Sequence, residues 1–158
     1  DVKVVRFQDA EFTFDTTRVL RICQEIIDRG LDMKWSANSR YDSVNYELLK
    51  KMRESGCYQI NFGLESASRE VLRRTRKGVD LKSVQNALKL ASDCEIHASN
   101  NLIIGLPGET SETLKETLAF IQEMIILPHV SFSDATRVIP YPDTELYEIT
   151  LKLSLIHI

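Results

Sequence analysis

Residues 47–66, ELLKKMRESGCYQINFGLES, contain a complete helix-to-strand unit. Asn45 caps the predicted helix and Gly56 ends it, as glycine commonly does just after the last helical turn. A short strand is predicted next, at residues 59–62. The apolar side chains of the helix share one face, which can pack against a sheet: Leu48, Leu49 and Met52.

The same alternation extends outward to both ends of the chain. Strands are predicted at residues 2–7, 33–37, 59–62, 98–104 and 130–139. The helices begin at Asp15 or Thr16, at Asn45, at Ser68, at Asp80, and at Thr110 or Ser111. In the last of these helices, the apolar spacing places four residues on one face: Leu114, Leu118, Ile121 and Ile125. Alternating strands and helices are typical of βαβ units, so we expect an α/β fold with a parallel sheet.

Composition limits the classes of protein to consider. The 158 residues fit one domain with a hydrophobic core. A net charge of −3, with acids and bases interleaved, gives no basic patch for nucleic acid or a membrane surface. Neither a membrane-length apolar run nor a signal peptide is evident. The three cysteines are widely spaced and are expected to pack as buried thiols in a reduced, cytoplasmic protein.

Both ends of the chain differ from those of a complete domain. Strand residues begin at Val2 with no leader before them, which indicates truncation. Residues 151–158, LKLSLIHI, are apolar and follow no turn signal, so we interpret them as the start of a further helix or as a non-native tail. A domain is therefore expected at residues 1–149, with a separate end at 150–158.

Polar residues collect at the carboxyl ends of the predicted strands, where parallel α/β folds bind their ligands. Glu65 is the strongest candidate, because it follows a buried strand and a glycine and should point into the mouth of a barrel. Further candidates occur at the ends of the other strands: Gln8, Asp9, Glu11, Ser36, Asn38, Arg40, Asn100, Asn101, Gly105 and Arg137. This convergence favours a binding site.

Each candidate also has a plainer interpretation. Glu65 could cap the next helix, and Arg40 could pair locally with Asp42. Asp9 could cap the next segment, and Asn101 could satisfy backbone groups in a turn. The three histidines show no ligand spacing, and the chain has neither a phosphate loop nor a dinucleotide glycine fingerprint.

Six segments, in order, resemble radical S-adenosylmethionine enzymes: FQDAEFTFD, GLDMKWSANSRYD, ELLKKMRESGCYQINFGLES, RRTRKG, NLIIGLPGET and PYPDTELYE. The likeness is closest to the group that often carries an upstream cobalamin-binding domain. It is also similar to the methylthiotransferase and coproporphyrinogen-dehydrogenase branches. The resemblance implies a partial (β/α)6 TIM-like barrel whose five strands are strands two to six. The first strand and the CxxxCxxC loop that binds a 4Fe–4S cluster would then lie outside this chain.

The resemblance also implies a cofactor site. In this family, electron transfer from the cluster cleaves S-adenosylmethionine to methionine and a 5′-deoxyadenosyl radical. Glu65 and Asn38 match positions that contact the polar part of S-adenosylmethionine, and Lys77 matches a basic position suited to its carboxylate.

Four further residues match cofactor-facing positions of the family. Asn101 matches a ribose-binding position, although an acid is common there. Gly105 and its neighbours would lie alongside the adenine. Gln8 and Asp9 match a polar pair that faces the cofactor. Asp143 replaces a glycine that is usual in the family, which would alter a turn.

Three readings of the function follow. The first is a radical enzyme within a longer protein, with an unknown substrate. Its electron donor would be a protein such as flavodoxin or ferredoxin, and cobalamin is a candidate further cofactor. This chain alone is expected to be inactive. The second is a degenerate barrel that lacks the cluster and serves as a binding or scaffold domain. The third is an unrelated aldolase-type or isomerase-type barrel that uses Glu65 and Lys77 as acid–base groups.

Overall fold

The structure, a computed structural model, describes residues 3–152 except the side chain of residue 134. Its five strands are β1 (Val4–Arg6), β2 (Lys34–Ser39), β3 (Cys57–Glu65), β4 (His97–Ile104) and β5 (Val130–Arg137). Its α-helices are α1 (Thr16–Asp28), α2 (Tyr46–Glu54), α3 (Arg69–Arg74), α4 (Leu81–Asp93), α5 (Ser111–Met124) and α6 (Glu145–Lys152). Short 3₁₀ turns occur at Phe12–Phe14 and Tyr41–Ser43.

All neighbouring strands pair in parallel, in the order β1-β2-β3-β4-β5. Each strand therefore lies beside the next one along the chain, with a helical connection between them. β1 and β5 form the two edges, so the described sheet is open. The carboxyl ends of all five strands lie at the same end of the sheet, as the sequence predicts.

The helices begin where their capping residues predict. The Asp15 side chain accepts a hydrogen bond from the Arg18 backbone N–H at 2.9 Å. Asn45 does the same for Leu48 at 2.9 Å. Thr110 forms a reciprocal capping box with Thr113 at the start of α5. Each cap satisfies a backbone donor that the first helical turn leaves without an internal partner.

The hydrophobic core lies between the sheet and its helices. It includes all three cysteines and several large side chains that are fully buried, among them Trp35, Leu48, Met52, Ile60, Phe62 and Leu88. The Trp35 indole N–H donates to the Ser55 backbone oxygen at 3.0 Å, which joins β2 to the end of α2. A buried indole with its donor satisfied adds apolar contact without the cost of an unpaired polar group.

The apolar face predicted for α5 is only partly the face that packs on the protein, since Leu114 and Ile121 are partly buried. Leu118 is 50% exposed and Ile125 is 53% exposed, whereas Thr117, Phe120 and Met124 are buried. The Thr117 hydroxyl accepts a hydrogen bond from the Ala67 backbone N–H at 3.1 Å. This polar contact favours an inward position for a threonine, and apolar spacing alone cannot anticipate it.

Several boundaries also differ from the prediction. β3 is longer at both ends than residues 59–62, and β5 ends at Arg137 rather than at residue 139. Helix α6 was not predicted; the hydroxyl of Thr144 accepts from the Tyr147 backbone N–H at 3.2 Å near its start. Residues 153–158 of the predicted tail lie outside the described residues.

Candidate functional site

A polar cavity of about 250 Å³ lies at the carboxyl ends of β2, β3 and β4. Its polar and charged lining includes Asn38, Arg40, Asn61, Glu65, Lys77 and Asn101. Four of the seven residues predicted to face the cofactor are therefore brought together: Asn38, Glu65, Lys77 and Asn101. They come from three strands and one loop, so only the parallel topology makes them neighbours.

Glu65 and Lys77 form an ion pair at the wall of this cavity. Glu65 is the last residue of β3 and has a φ of 66°, at an irregularity in the pairing of β3 with β4. The Lys77 ammonium donates to Glu65 Oε1. Both side chains are about three-quarters buried, with 27% of Lys77 and 25% of Glu65 exposed. The alternative that Glu65 caps the next helix is wrong, because Ser68 holds the N-cap position of α3.

The pair lies directly over Gly63. A Cβ atom at Gly63 would come within 3.2 Å of Glu65 Oε1 and 3.3 Å of Lys77 Nζ. Both distances are tighter than ordinary van der Waals contact. Because Gly63 has no side chain, the two charged groups can approach the sheet closely.

Three side-chain amides connect β2 and β3 to the segment after β1. Gln59 Nε2 donates to Asn61 Oδ1 at 2.7 Å, and Asn61 Nδ2 donates to Asn38 Oδ1 at 3.3 Å. Asn38 Nδ2 then donates to the backbone oxygen of Asp9 at 3.1 Å. This network fixes the orientation of Asn38 and leaves it one N–H and part of its oxygen for a ligand.

Asn101 faces the same cavity from β4, where it is in register with Gly63. Its neighbour Asn100 is fully buried and accepts a hydrogen bond from the Tyr41 hydroxyl at 2.8 Å. The Tyr41 ring stacks on Phe62, with ring centroids 4.6 Å apart. Burial raises the pKa of Tyr41, with the nearby Glu65 carboxylate as the smaller cause, so this hydroxyl stays protonated as a donor.

Gln8, Asp9 and Gly105 do not line the polar cavity. Gln8 is exposed, and the Asp9 carboxylate pairs with Arg18 at 2.8 Å, so only the Asp9 backbone reaches Asn38. Gly105 has a φ of 90°, a conformation that favours glycine, and its N–H donates to Glu109 Oε2 at 2.6 Å.

A second, more apolar cavity of about 510 Å³ lies beside the first, and Glu65 lines both. Its walls include Ile103, Leu106 and Val138. A Cβ atom at Gly105 would lie 3.2 Å from Val138, so the glycine adjoins this second cavity. The strand ends thus offer a polar compartment and an apolar compartment that meet at one carboxylate.

Sequence reasoning missed Asn61 and Tyr41. The polar residues at positions 59, 61 and 65 could have indicated Asn61, because alternate residues of a strand share a face. Tyr41 gave no such signal, since it lies in a 3₁₀ turn. Arg40, one of the strand-end candidates, lines the cavity and pairs with Asp42, as the plainer interpretation expected.

The cysteines do not fit an iron–sulfur cluster. All three are buried and free, and burial raises the pKa of each thiol. Among the side chains that the structure describes, no group of three or more His, Cys, Asp or Glu could hold a metal ion. No helix in the described part of the chain is long and apolar enough to cross a membrane.

Chemically, the polar cavity is suited to a zwitterion. The Glu65 carboxylate can accept from an ammonium group, and the Lys77 ammonium can donate to a carboxylate. In the structure the two satisfy each other, so a ligand with both charges can replace each partner without leaving a charge unpaired. The α-amino acid end of a small molecule has both groups in this arrangement.

Residues 1–121 match the family description "Radical SAM superfamily". The chain therefore belongs to the radical SAM superfamily, as the six sequence segments predict. This membership sets aside the unrelated aldolase-type or isomerase-type barrel, and none of the observations favours the scaffold alternative. The chain spans a third or less of the length of the curated relatives that it matches in Pyrococcus horikoshii and Cereibacter sphaeroides.

An uncharacterized methyltransferase of Pyrococcus horikoshii is 36% identical over 155 residues, covering 98% of this chain and 33% of that protein. An anaerobic magnesium-protoporphyrin IX monomethyl ester cyclase of Cereibacter sphaeroides is 30% identical over 144 residues, covering 89% of this chain and 23% of that protein.

Among solved structures, the radical S-adenosylmethionine methyltransferase TsrM from Kitasatospora setae, with cobalamin and a 4Fe–4S cluster bound, matches with a TM-score of 0.79. The match covers 96% of this chain and 29% of TsrM at 17% identity. At that identity the likeness shows the fold, and it confirms the predicted partial barrel.

Proposed function

We propose that this chain forms the S-adenosylmethionine-facing wall of a radical enzyme that reductively cleaves S-adenosylmethionine to begin radical chemistry on its substrate. One observation carries the proposal: the Glu65–Lys77 ion pair lies in a polar cavity between Asn38 and Asn101. Family membership supports the reaction class, and the cavity supports the cofactor.

The two ends of the amino acid moiety would bind to opposite charges. Glu65 would accept hydrogen bonds from the ammonium group, and Lys77 would donate to the carboxylate. Asn38 would use its remaining N–H toward the same end of the ligand, since Asp9 and Asn61 hold the rest of its amide in place. These contacts orient the ligand and exclude water from its charged groups.

The nucleoside would extend away from this polar end. We propose that Asn101 contacts the ribose and that Gly105 and its apolar neighbours lie alongside the adenine. The polar cavity of about 250 Å³ is smaller than a typical small-molecule site of roughly 300–1,000 Å³. The adjoining apolar cavity supplies the additional space. Gln8 and the Asp9 carboxylate lie outside both linings, and the Asp9 backbone holds Asn38; that Gln8 and Asp9 face the cofactor stays a prediction.

The remaining parts of the proposal concern the longer protein. A 4Fe–4S cluster supplies the electron for cleavage in this family, and its ligands would come from residues outside this chain. The likeness to TsrM, which was solved with cobalamin, supports cobalamin as a candidate cofactor. Three expectations stay predictions: a flavodoxin or ferredoxin as electron donor, a cytoplasmic location, and a barrel domain at residues 1–149.

The direct test measures S-adenosylmethionine affinity in the full-length protein after cluster reconstitution. Glu65→Gln keeps the shape of the side chain but removes the charge. The loss of one charge-assisted hydrogen bond, about 1.5–3 kcal/mol, corresponds to roughly 10- to 100-fold weaker binding. Calorimetric titration gives the dissociation constants of both proteins.

Glu70→Gln is the matched control. Glu70 also pairs with basic side chains, Arg73 and Arg74, but it lies outside both cavities. This variant should bind S-adenosylmethionine as the wild type does. Equal affinity of Glu65→Gln and wild type would remove Glu65 from the cofactor site.

A further inference from the structure

Arg40 lines the polar cavity but has no part in the cofactor contacts proposed above. It follows β2, and its guanidinium pairs with the Asp42 carboxylate two residues later. Both side chains are about half exposed, at 46% for Arg40 and 55% for Asp42. The arginine is therefore held in place but accessible to a ligand.

The pairing with Asp42 uses only one edge of the guanidinium. Arg40 Nε donates to Asp42 Oδ1 at 2.9 Å, and Nη2 donates to Oδ2 at 2.7 Å. A guanidinium has five N–H donors, so three remain, on Nη1 and Nη2. Two of these point in parallel from the end of the group, which is the geometry that binds a carboxylate or phosphate through two hydrogen bonds.

The backbone at Arg40 is fixed by hydroxyl groups. The Ser39 and Ser43 hydroxyls both donate to the Arg40 backbone oxygen at 3.1 Å. Thr13, from the segment after β1, contacts these hydroxyls at 2.5 and 2.7 Å. An anion that binds Arg40 therefore meets a group that is already ordered, which lowers the entropic cost of binding.

When the charges that line the cavity are matched with those of S-adenosylmethionine, Arg40 is left without an opposite charge on that ligand. Its charged lining consists of Arg40, Glu65 and Lys77, which is two cations and one anion. The amino acid end of S-adenosylmethionine has one ammonium and one carboxylate, which Glu65 and Lys77 would match. Asp42 and Glu11 moderate the charge of Arg40 and raise its pKa, but neither lines the cavity.

We propose that Arg40 binds a second anionic group, a carboxylate or phosphate of the substrate, beside bound S-adenosylmethionine. This inference rests on the proposed function, and it assigns the substrate a chemical class: a molecule with an anionic group within reach of the radical site. Asp42 occupies one edge of the guanidinium and leaves its remaining N–H groups for a ligand in the cavity that Arg40 lines.

Inorganic phosphate is a suitable probe, titrated into the cluster-containing full-length protein with and without S-adenosylmethionine and followed by phosphorus NMR line width. Wild type should bind phosphate saturably in both states, and Arg40→Gln should weaken this binding at least 10-fold. Arg53→Gln is the control, because Arg53 has a similar exposure of 44% and pairs with Glu95 outside the cavity. It should behave as wild type.

A second arm distinguishes the substrate anion from the carboxylate of S-adenosylmethionine itself. Decarboxylated S-adenosylmethionine lacks that carboxylate, so its affinity relative to the parent compound reports which cation binds it. Lys77→Gln should abolish the preference for the parent compound, and Arg40→Gln should preserve it. Loss of the preference in Arg40→Gln would place Arg40 in the cofactor site and overturn the inference.

Equal phosphate binding by wild type and Arg40→Gln would also overturn it. The two proposals fail separately. Absence of S-adenosylmethionine binding in wild type refutes the proposed function, whereas the phosphate titration without S-adenosylmethionine still tests the anion site at Arg40.

Discussion

Replacing Tyr41 with Phe removes a single hydroxyl from the base of the candidate site. The ring keeps its stacking on Phe62, so the change isolates the hydrogen bond to Asn100. Tyr41 is 5% exposed and Asn100 is 0% exposed, so water has little access to replace the lost donor. Leaving a buried acceptor unpaired costs about 1–3 kcal/mol. The free energy of unfolding, measured in urea at neutral pH, should fall by that amount.

Tyr46→Phe is the control for loss of a tyrosine hydroxyl. Tyr46 is 46% exposed at the start of α2, so its hydroxyl can bond to water. Its replacement should change the free energy of unfolding by less than about 0.5 kcal/mol. If Tyr41→Phe costs no more than this control, the hydrogen bond that joins the turn at Tyr41–Ser43 to Asn100 in β4 does not stabilise the fold, and the reasoning is refuted.

Two further predictions concern the fold. Gly56→Ala should destabilise the protein by several kcal/mol more than Gly30→Ala in the same urea assay. Both glycines have a positive φ, which is unfavourable for alanine. Only at Gly56 would the added Cβ also meet a backbone atom, the Met33 oxygen at 2.2 Å. Equal losses would show that the backbone relaxes at Gly56. Native Cys57 should resist iodoacetamide at pH 8 and react after unfolding, because burial raises the pKa of its thiol. Stability should fall as the pH rises above the ordinary thiol pKa, where only the unfolded chain ionises; rapid native alkylation would contradict the burial.

Local sequence signals predicted the order of the elements and most helix starts. Asp15, Asn45 and Thr110 each cap a helix as expected, because a cap depends on residues three positions apart. Which side chains of α5 are buried could not be predicted in this way. Thr117 is buried because it bonds to Ala67, fifty residues earlier in the chain, and a sequence period contains no information about such a contact.

The candidate site was predictable where it depends on strand ends. Glu65 and Lys77 are twelve residues apart, and their pairing follows from the bulge at Glu65 and the loop after α3, neither of which a sequence pattern specifies. The role of Asn38 likewise depends on Asn61 in the neighbouring strand. The ion pair of Asp9 with Arg18 on α1 likewise could not be predicted, because it joins two different elements of the fold.

Production of 5′-deoxyadenosine tests the central claim most directly. The full-length protein, with its cluster reconstituted under anaerobic conditions, would be mixed with S-adenosylmethionine and a strong reductant, and the products quantified by mass spectrometry. We predict that 5′-deoxyadenosine and methionine form in equal amounts, and that Glu65→Gln forms less of both at subsaturating S-adenosylmethionine. A reconstituted protein that binds S-adenosylmethionine and reduces its cluster, yet forms neither product, would contradict the assignment of this chain to a radical enzyme.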